Sequence, residues 1–82
     1  MKKEIAKKTI ILHVFLMLYK GSSLKKPITQ TQMANVINSL GVPCDRRTVG
    51  RNIKYLIDFG LPIFKVSGGY CYVKTLDKFF NE

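Results

Sequence analysis

Eighty-two residues suffice for one domain, but not for two or for a core deep enough to enclose a substrate. Hydrophobic residues make up 46% of the chain, which excludes a disordered segment, and fourteen Lys and Arg against five Asp and Glu leave a net charge of +9. That excess points to a polyanionic partner, either nucleic acid or an anionic membrane surface.

Two cysteines and a single histidine, His13, with no C-x-x-C, make neither a disulfide framework nor a zinc motif, so no metal or cofactor is expected. We read Cys44 and Cys71 as reduced thiols of a cytoplasmic protein; a Cys44–Cys71 disulfide is the alternative. The carboxylates Glu4, Asp45, Asp58, Asp77 and Glu82 form no evident pair, and no base stands beside either thiol, so an enzyme is not expected.

The first predicted helix covers residues 2–20. Ile5, Thr9, Leu12, Leu16 and Tyr19 form one stripe, while Ile10, Val14, Met17 and Leu18 cover much of the opposite side. A helix apolar on nearly every side is normally buried on every side. A chain this short cannot easily surround its own first helix, so Ile10, Val14, Met17 and Leu18 are expected to meet a second copy, in a homodimer, or a partner. Lys2, Lys3, Lys7 and Lys8 ahead of an apolar run have the outline of a signal peptide. Glu4 and His13 interrupt it, however, Lys20 follows, and no small-residue cleavage site appears. The run is also about half the length of a membrane span, so no membrane association is expected.

Gly21 to Pro27 reads as a loop with Gly21 ending the first helix, and Ile28 reads as a minimal strand. Thr29 is then an N-cap, and Gln32 three residues later completes a capping box for a second helix over 30–40. Its stripe is Met33, Val36, Ile37 and Leu40. Thr29, Gln30 and Thr31 stand at its N-terminus, where hydroxyl and amide groups could hold a phosphate.

Gly41-Val42-Pro43-Cys44 is a four-residue turn into a third helix, 45–59, with Asp45 as N-cap and Gly60 as its left-handed terminus. Val49, Ile53, Leu56 and Ile57 make its apolar stripe, and at about 100° per residue Arg47, Arg51 and Lys54 lie roughly opposite. Two short amphipathic helices across such a turn have the spacing of a helix-turn-helix. Its second helix would enter a major groove about 12 Å wide, with Arg46, Arg47, Thr48, Arg51, Asn52 and Lys54 as candidate DNA contacts.

After Gly60 the period changes to that of short strands, and Ser67-Gly68-Gly69 supplies a tight turn for a hairpin over 62–74. Beside DNA this hairpin would be a wing, bringing Lys65, Ser67 and the Gly68 amide to a phosphate or the minor groove. Tyr70 and Tyr72 are expected to pack across the strands and not to stack on bases. Residues 75–81 read as a short terminal helix, with Thr75 as a possible N-cap, whose Phe79 and Phe80 dock on the body or on a second subunit.

The expected fold is therefore mainly α with a small β-hairpin, a single domain over 1–82. It is a winged helix-turn-helix with a three-helix core, a two-stranded wing and a short C-terminal helix. A more specific pattern runs through it: Gln32-Met33-Ala34, Leu40-Gly41-Val42, Arg46-Arg47-Thr48-Val49, Arg51, Leu56, Gly60-Leu61-Pro62-Ile63 and Gly68-Gly69-Tyr70. It resembles the N-terminal DNA-binding domain of the WYL-type, DeoR-like bacterial transcriptional regulators. The resemblance implies binding of double-stranded DNA, with Arg47 and Thr48 in the major groove and Arg51 bracing the backbone. The chain departs from that pattern at Cys44 or Asp45, where the family usually has Ser, and at Asn52, where it usually has Asp. It also departs at Gly50, where the family carries a larger side chain facing the DNA. The sequence shows no counterpart of the family's large C-terminal sensor domain, so no small-molecule effector is expected. The expected function is sequence-specific DNA binding by a transcriptional regulator; a winged-helix protein-interaction module and RNA binding are the alternatives.

Overall fold

Local chemistry sets most of the element boundaries. In the computed structural model, which describes residues 8–78, the chain forms α1 (Ile10–Gly21), α2 (Gln30–Ser39) and α3 (Arg46–Phe59). An antiparallel hairpin follows, β1 (Ile63–Val66) and β2 (Gly69–Tyr72), and then a 3-10 turn, Lys74–Leu76. The capping box of α2 is complete: the Gln32 amide donates to Thr29 Oγ1 at 3.0 Å and the Thr29 amide donates to Gln32 Oε1 at 2.9 Å. Asp45 caps α3, with Oδ1 accepting from the Thr48 amide at 2.8 Å, and Gly60 ends it at φ 115°.

Asn38 clamps the turn between α2 and α3. Its Nδ2 donates to the Ala34 and Cys44 carbonyls, and its Oδ1 accepts from the Cys44 amide at 3.0 Å. One amide side chain thus satisfies backbone groups on both sides of the turn, as buried or bent backbone requires. Val42 is buried beneath it.

The core is filled from the three helices and the hairpin: Val14 and Leu18 of α1, Met33 and Ile37 of α2, Val49 and Ile53 of α3, and Ile63 and Tyr72 of the hairpin. Each large aliphatic side chain contributes about 1.5–3 kcal/mol by leaving water. A hairpin of four-residue strands is marginal alone, so its attachments matter. Ile28 pairs with Tyr70 through reciprocal backbone bonds of 2.9 and 2.8 Å, which adds one rung beside β2. Ser22 Oγ donates to the Leu18 carbonyl and accepts from the Tyr72 amide at 3.0 Å, tying β2 to the end of α1. The Tyr72 ring meets Phe15 and Tyr19 edge-on, with centroids 6.0 and 5.0 Å away. Its hydroxyl donates to the buried Asp77 carboxylate at 2.6 Å.

Several expectations need correction. The first helix turns the other way: Ile10, Val14 and Leu18 are buried in the chain's own core and Met17 is partly buried against it, so this set is not an open interface. Leu12 and Leu16 of the supposed inner stripe are exposed instead. The reason is that both stripes are apolar, and the packing of α2, α3 and β2 selects between them. Val36, Leu40 and Ile57 of the expected apolar stripes are exposed, while Ala34 on α2 and Leu61 after α3 are buried. Gly21 is, as expected, the last residue of α1, and Ser22 in extended conformation follows it as C-cap. In place of a terminal helix from Thr75, the described chain makes the 3-10 turn and then extends at Asp77, whose carboxylate is held by Tyr72. Residues 2–7 of the first predicted helix, and Phe79 and Phe80, lie outside the described residues. No helix among the described residues is long and apolar enough to cross a membrane.

Candidate nucleic-acid interface

α3 has two unlike sides. Val49, Ile53 and Leu56 face the core, while Arg46, Arg47, Arg51 and Lys54 are exposed. Three of those four cations fall in its first two turns, and no acidic residue lies in the first turn. Cations at the positive end of a helix oppose its dipole, whereas an anion there is favoured by the dipole and by the free amides. The arginines therefore do not serve the stability of α3 and form a surface suited to a bound polyanion.

Asp45 is the carboxylate beside them. Its hydrogen bonds from Thr48, with Arg51 and Arg47 adding a smaller share, hold its carboxyl below the ordinary range. Arg51 Nη2 lies 3.3 Å from Thr48 Oγ1, so the capping turn also steadies that guanidinium. The neighbouring Cys44 thiol is pushed up, chiefly by burial and then by the Asp45 charge.

The other expected contacts divide into free and committed groups. Thr31, Lys65, Ser67 and Gly68 are exposed. Thr29 Oγ1 is used in its capping box, and Asn52 Nδ2 donates to the Thr48 carbonyl at 2.8 Å within its own helix, which leaves less of either to read a ligand. Between the hairpin and α3 the structure builds a continuous edge. A methyl at Gly68 would stand 3.2 Å from Pro27 Cγ, Ile28 pairs with Tyr70, Thr29 caps α2, and Gln30 Nε2 donates to the Arg46 carbonyl at 2.9 Å. Hairpin tip, α2 N-terminus and the arginine end of α3 are thus linked through successive contacts.

The positioning roles of Gln30, Gly50 and Asn38 escaped the sequence reading. Gln30 bridges α2 and α3, and Gly50 makes room for it, since a methyl at residue 50 would overlap Gln30 Nε2. The glycine within α3 thus answers a contact inside the chain. Asn38 clamps the turn, and its place near the end of a helix before a glycine was the one available signal. Among the described residues, no three His, Cys, Asp or Glu side chains gather where a metal could bind, and Cys44 and Cys71 are free thiols.

Comparison with protein-family models, with curated proteins and with solved structures gave no match to this chain.

Proposed function

We propose that the chain is a winged helix-turn-helix that binds double-stranded DNA and acts in the cytoplasm as a sequence-specific transcriptional regulator. The observation that carries this reading is the concentration of Arg46, Arg47 and Arg51 at the exposed N-terminal end of α3, with no acid in its first turn. Arginine presents two parallel donors that match guanine O6 and N7 or a phosphate. In this reading α3 lies in the major groove, Arg47 and Thr48 reach base edges, and Arg51 meets the backbone. Lys65, Ser67 and the Gly68 amide approach the flanking phosphates or the minor groove. A duplex also relieves the unfavourable placement of cations at the positive helix end.

The test is fluorescence anisotropy of the chain on random-sequence duplex DNA over a salt series, beside the Arg47→Ala/Arg51→Ala double variant. With about five phosphate contacts, log K falls against log salt with a slope of about −4 to −5. The double variant should lose about two units of that slope and bind far more weakly. Absence of duplex binding at low salt, or equal binding by the variant, would reject the reading.

A further inference from the structure

A second surface lies on the other half of α3. The C-terminal half of α3 and the N-terminal half of α1 diverge around a groove of about 400 Å³. Ile11, Leu12 and Phe15 form one wall; Tyr55, Leu56 and Phe59 form the other. Leu12 and Tyr55 are 59% and 57% exposed, and Leu16, one turn beyond Leu12, is 45% exposed. With Phe59, 66% exposed, these side chains leave on the order of 450 Å² of apolar surface in water, a size of patch that is often functional.

The charge of this surface selects its occupant. A second copy would bring a second net charge of +9 against the first. Cations stand close to the groove: Lys8 is exposed just before α1, and Arg51 precedes Tyr55 by one turn. Asp58, the carboxylate on α3, follows Tyr55 by three residues and also borders the groove, so two cations face one acid there. A groove between two helices, apolar along its floor and set in a positive field, suits a single amphipathic helix.

We propose that the α1–α3 groove is a docking site for a short amphipathic helix of another protein, with apolar side chains at i, i+3 and i+4 and carboxylates on its flanks. The reading does not rest on DNA binding: Leu12 and Leu16 lie on α1, and of the arginines only Arg51 borders both surfaces.

The experiment uses the full chain and a fluorescein-labelled peptide of about 14 residues, roughly 21 Å of helix. The peptide carries leucine and phenylalanine at helical spacing and glutamate on both flanks. Its twin has lysine for every glutamate. The acidic peptide should bind at least about tenfold more tightly than the twin. Leu12→Gln/Leu16→Gln should weaken that binding by about tenfold while far-UV circular dichroism and the thermal midpoint stay as in the parent. These side chains are exposed, so folding tolerates the change. Undetectable binding of the acidic peptide, equal affinity for the twin, or binding untouched by the double variant would overturn the proposal. Sedimentation equilibrium showing a dimer of the chain alone, dissociated by Leu12→Gln/Leu16→Gln, would overturn it too, assigning the groove to a second copy.

Discussion

Gln30 sits against Gly50, and only glycine at that position lets its side-chain amide reach the Arg46 carbonyl. Two effects of opposite sign meet there. Glycine within a helix costs about 0.5–1 kcal/mol relative to alanine. The bond it permits is worth about 0.5–1.5 kcal/mol. Gly50→Ala should therefore change stability little, since Gln30 is flexible and swings aside. In a Gln30→Ala background the same substitution has no bond left to break and should stabilise by about 0.5–1 kcal/mol. Urea unfolding of the four proteins measures this difference. Equal effects in both backgrounds would show that Gly50 is not there for Gln30.

Gly69 presents the opposite case, with backbone as the obstacle. It closes the hairpin opposite Val66 at φ 140°, and a methyl there would overlap the Ile28 carbonyl. That carbonyl accepts from Tyr70 and cannot retreat without breaking the rung. Gly69→Ala should cost about 2 kcal/mol or more, combining strain at positive φ with a lost backbone pair. Gly68→Ala meets only Pro27 Cγ at 3.2 Å, at φ 95°, and should cost about half as much. Denaturant midpoints of the two variants test the order; Gly68 as the more damaging site would refute the account.

These two glycines also mark how far the sequence could be read. The caps at Thr29, Asp45 and Gly60 and the turn at Ser67-Gly68 were legible because each rests on neighbours within a few residues; Ile28 was legible as a short strand, but its partner Tyr70 was not. The arginines of α3 were legible as a face because helical periodicity is local. The buried side of α1 was not, since Ile10-Val14-Leu18 and Leu12-Leu16 are equally apolar and only the packing of α2, α3 and β2 chooses between them. Gln30 and Gly50 stand twenty positions apart, and no periodic signal joins them. Thr75 suggested a helix start, and the role of Asp77 beside Tyr72 was not legible because it depends on a buried environment.

That role gives a third prediction. The Tyr72 hydroxyl is buried with the Asp77 carboxylate, and burial first, then that hydrogen bond, pushes the phenol far above its ordinary range. Tyr72→Phe keeps the ring against Phe15 and Tyr19 and removes one donor from a buried carboxylate. The cost should be about 1–3 kcal/mol. For a chain of this size that lowers Tm by roughly 5–15 °C. Calorimetry checks it, and an unchanged Tm would mean that the Asp77 carboxylate draws its stabilisation from other donors. Alkaline titration should add no Tyr72 ionisation while the fold persists.

At Asp45 stability and the proposed DNA binding pull apart. Its carboxyl is depressed in the folded chain, so the ionised cap contributes stability that is fully present above the ordinary carboxylate range. That contribution is lost as pH falls from about 4 through the lower folded value. Asparagine caps about as well but carries no charge. Asp45→Asn should therefore be slightly less stable than the parent at neutral pH, and the gap should close as acid protonates the parent's cap. Duplex affinity should move the other way. A negative charge among Arg46, Arg47 and Arg51 repels phosphate, and removing it should tighten binding a few-fold at low salt, with the difference shrinking as salt rises. Asp45→Ala, which loses the cap as well, should melt lower than either protein at neutral pH. Anisotropy on duplex DNA beside thermal melts across the acid range separates the two roles. If Asp45→Asn binds duplex more weakly while remaining folded, the carboxylate is itself part of the binding surface, and repulsion of phosphate is not its effect.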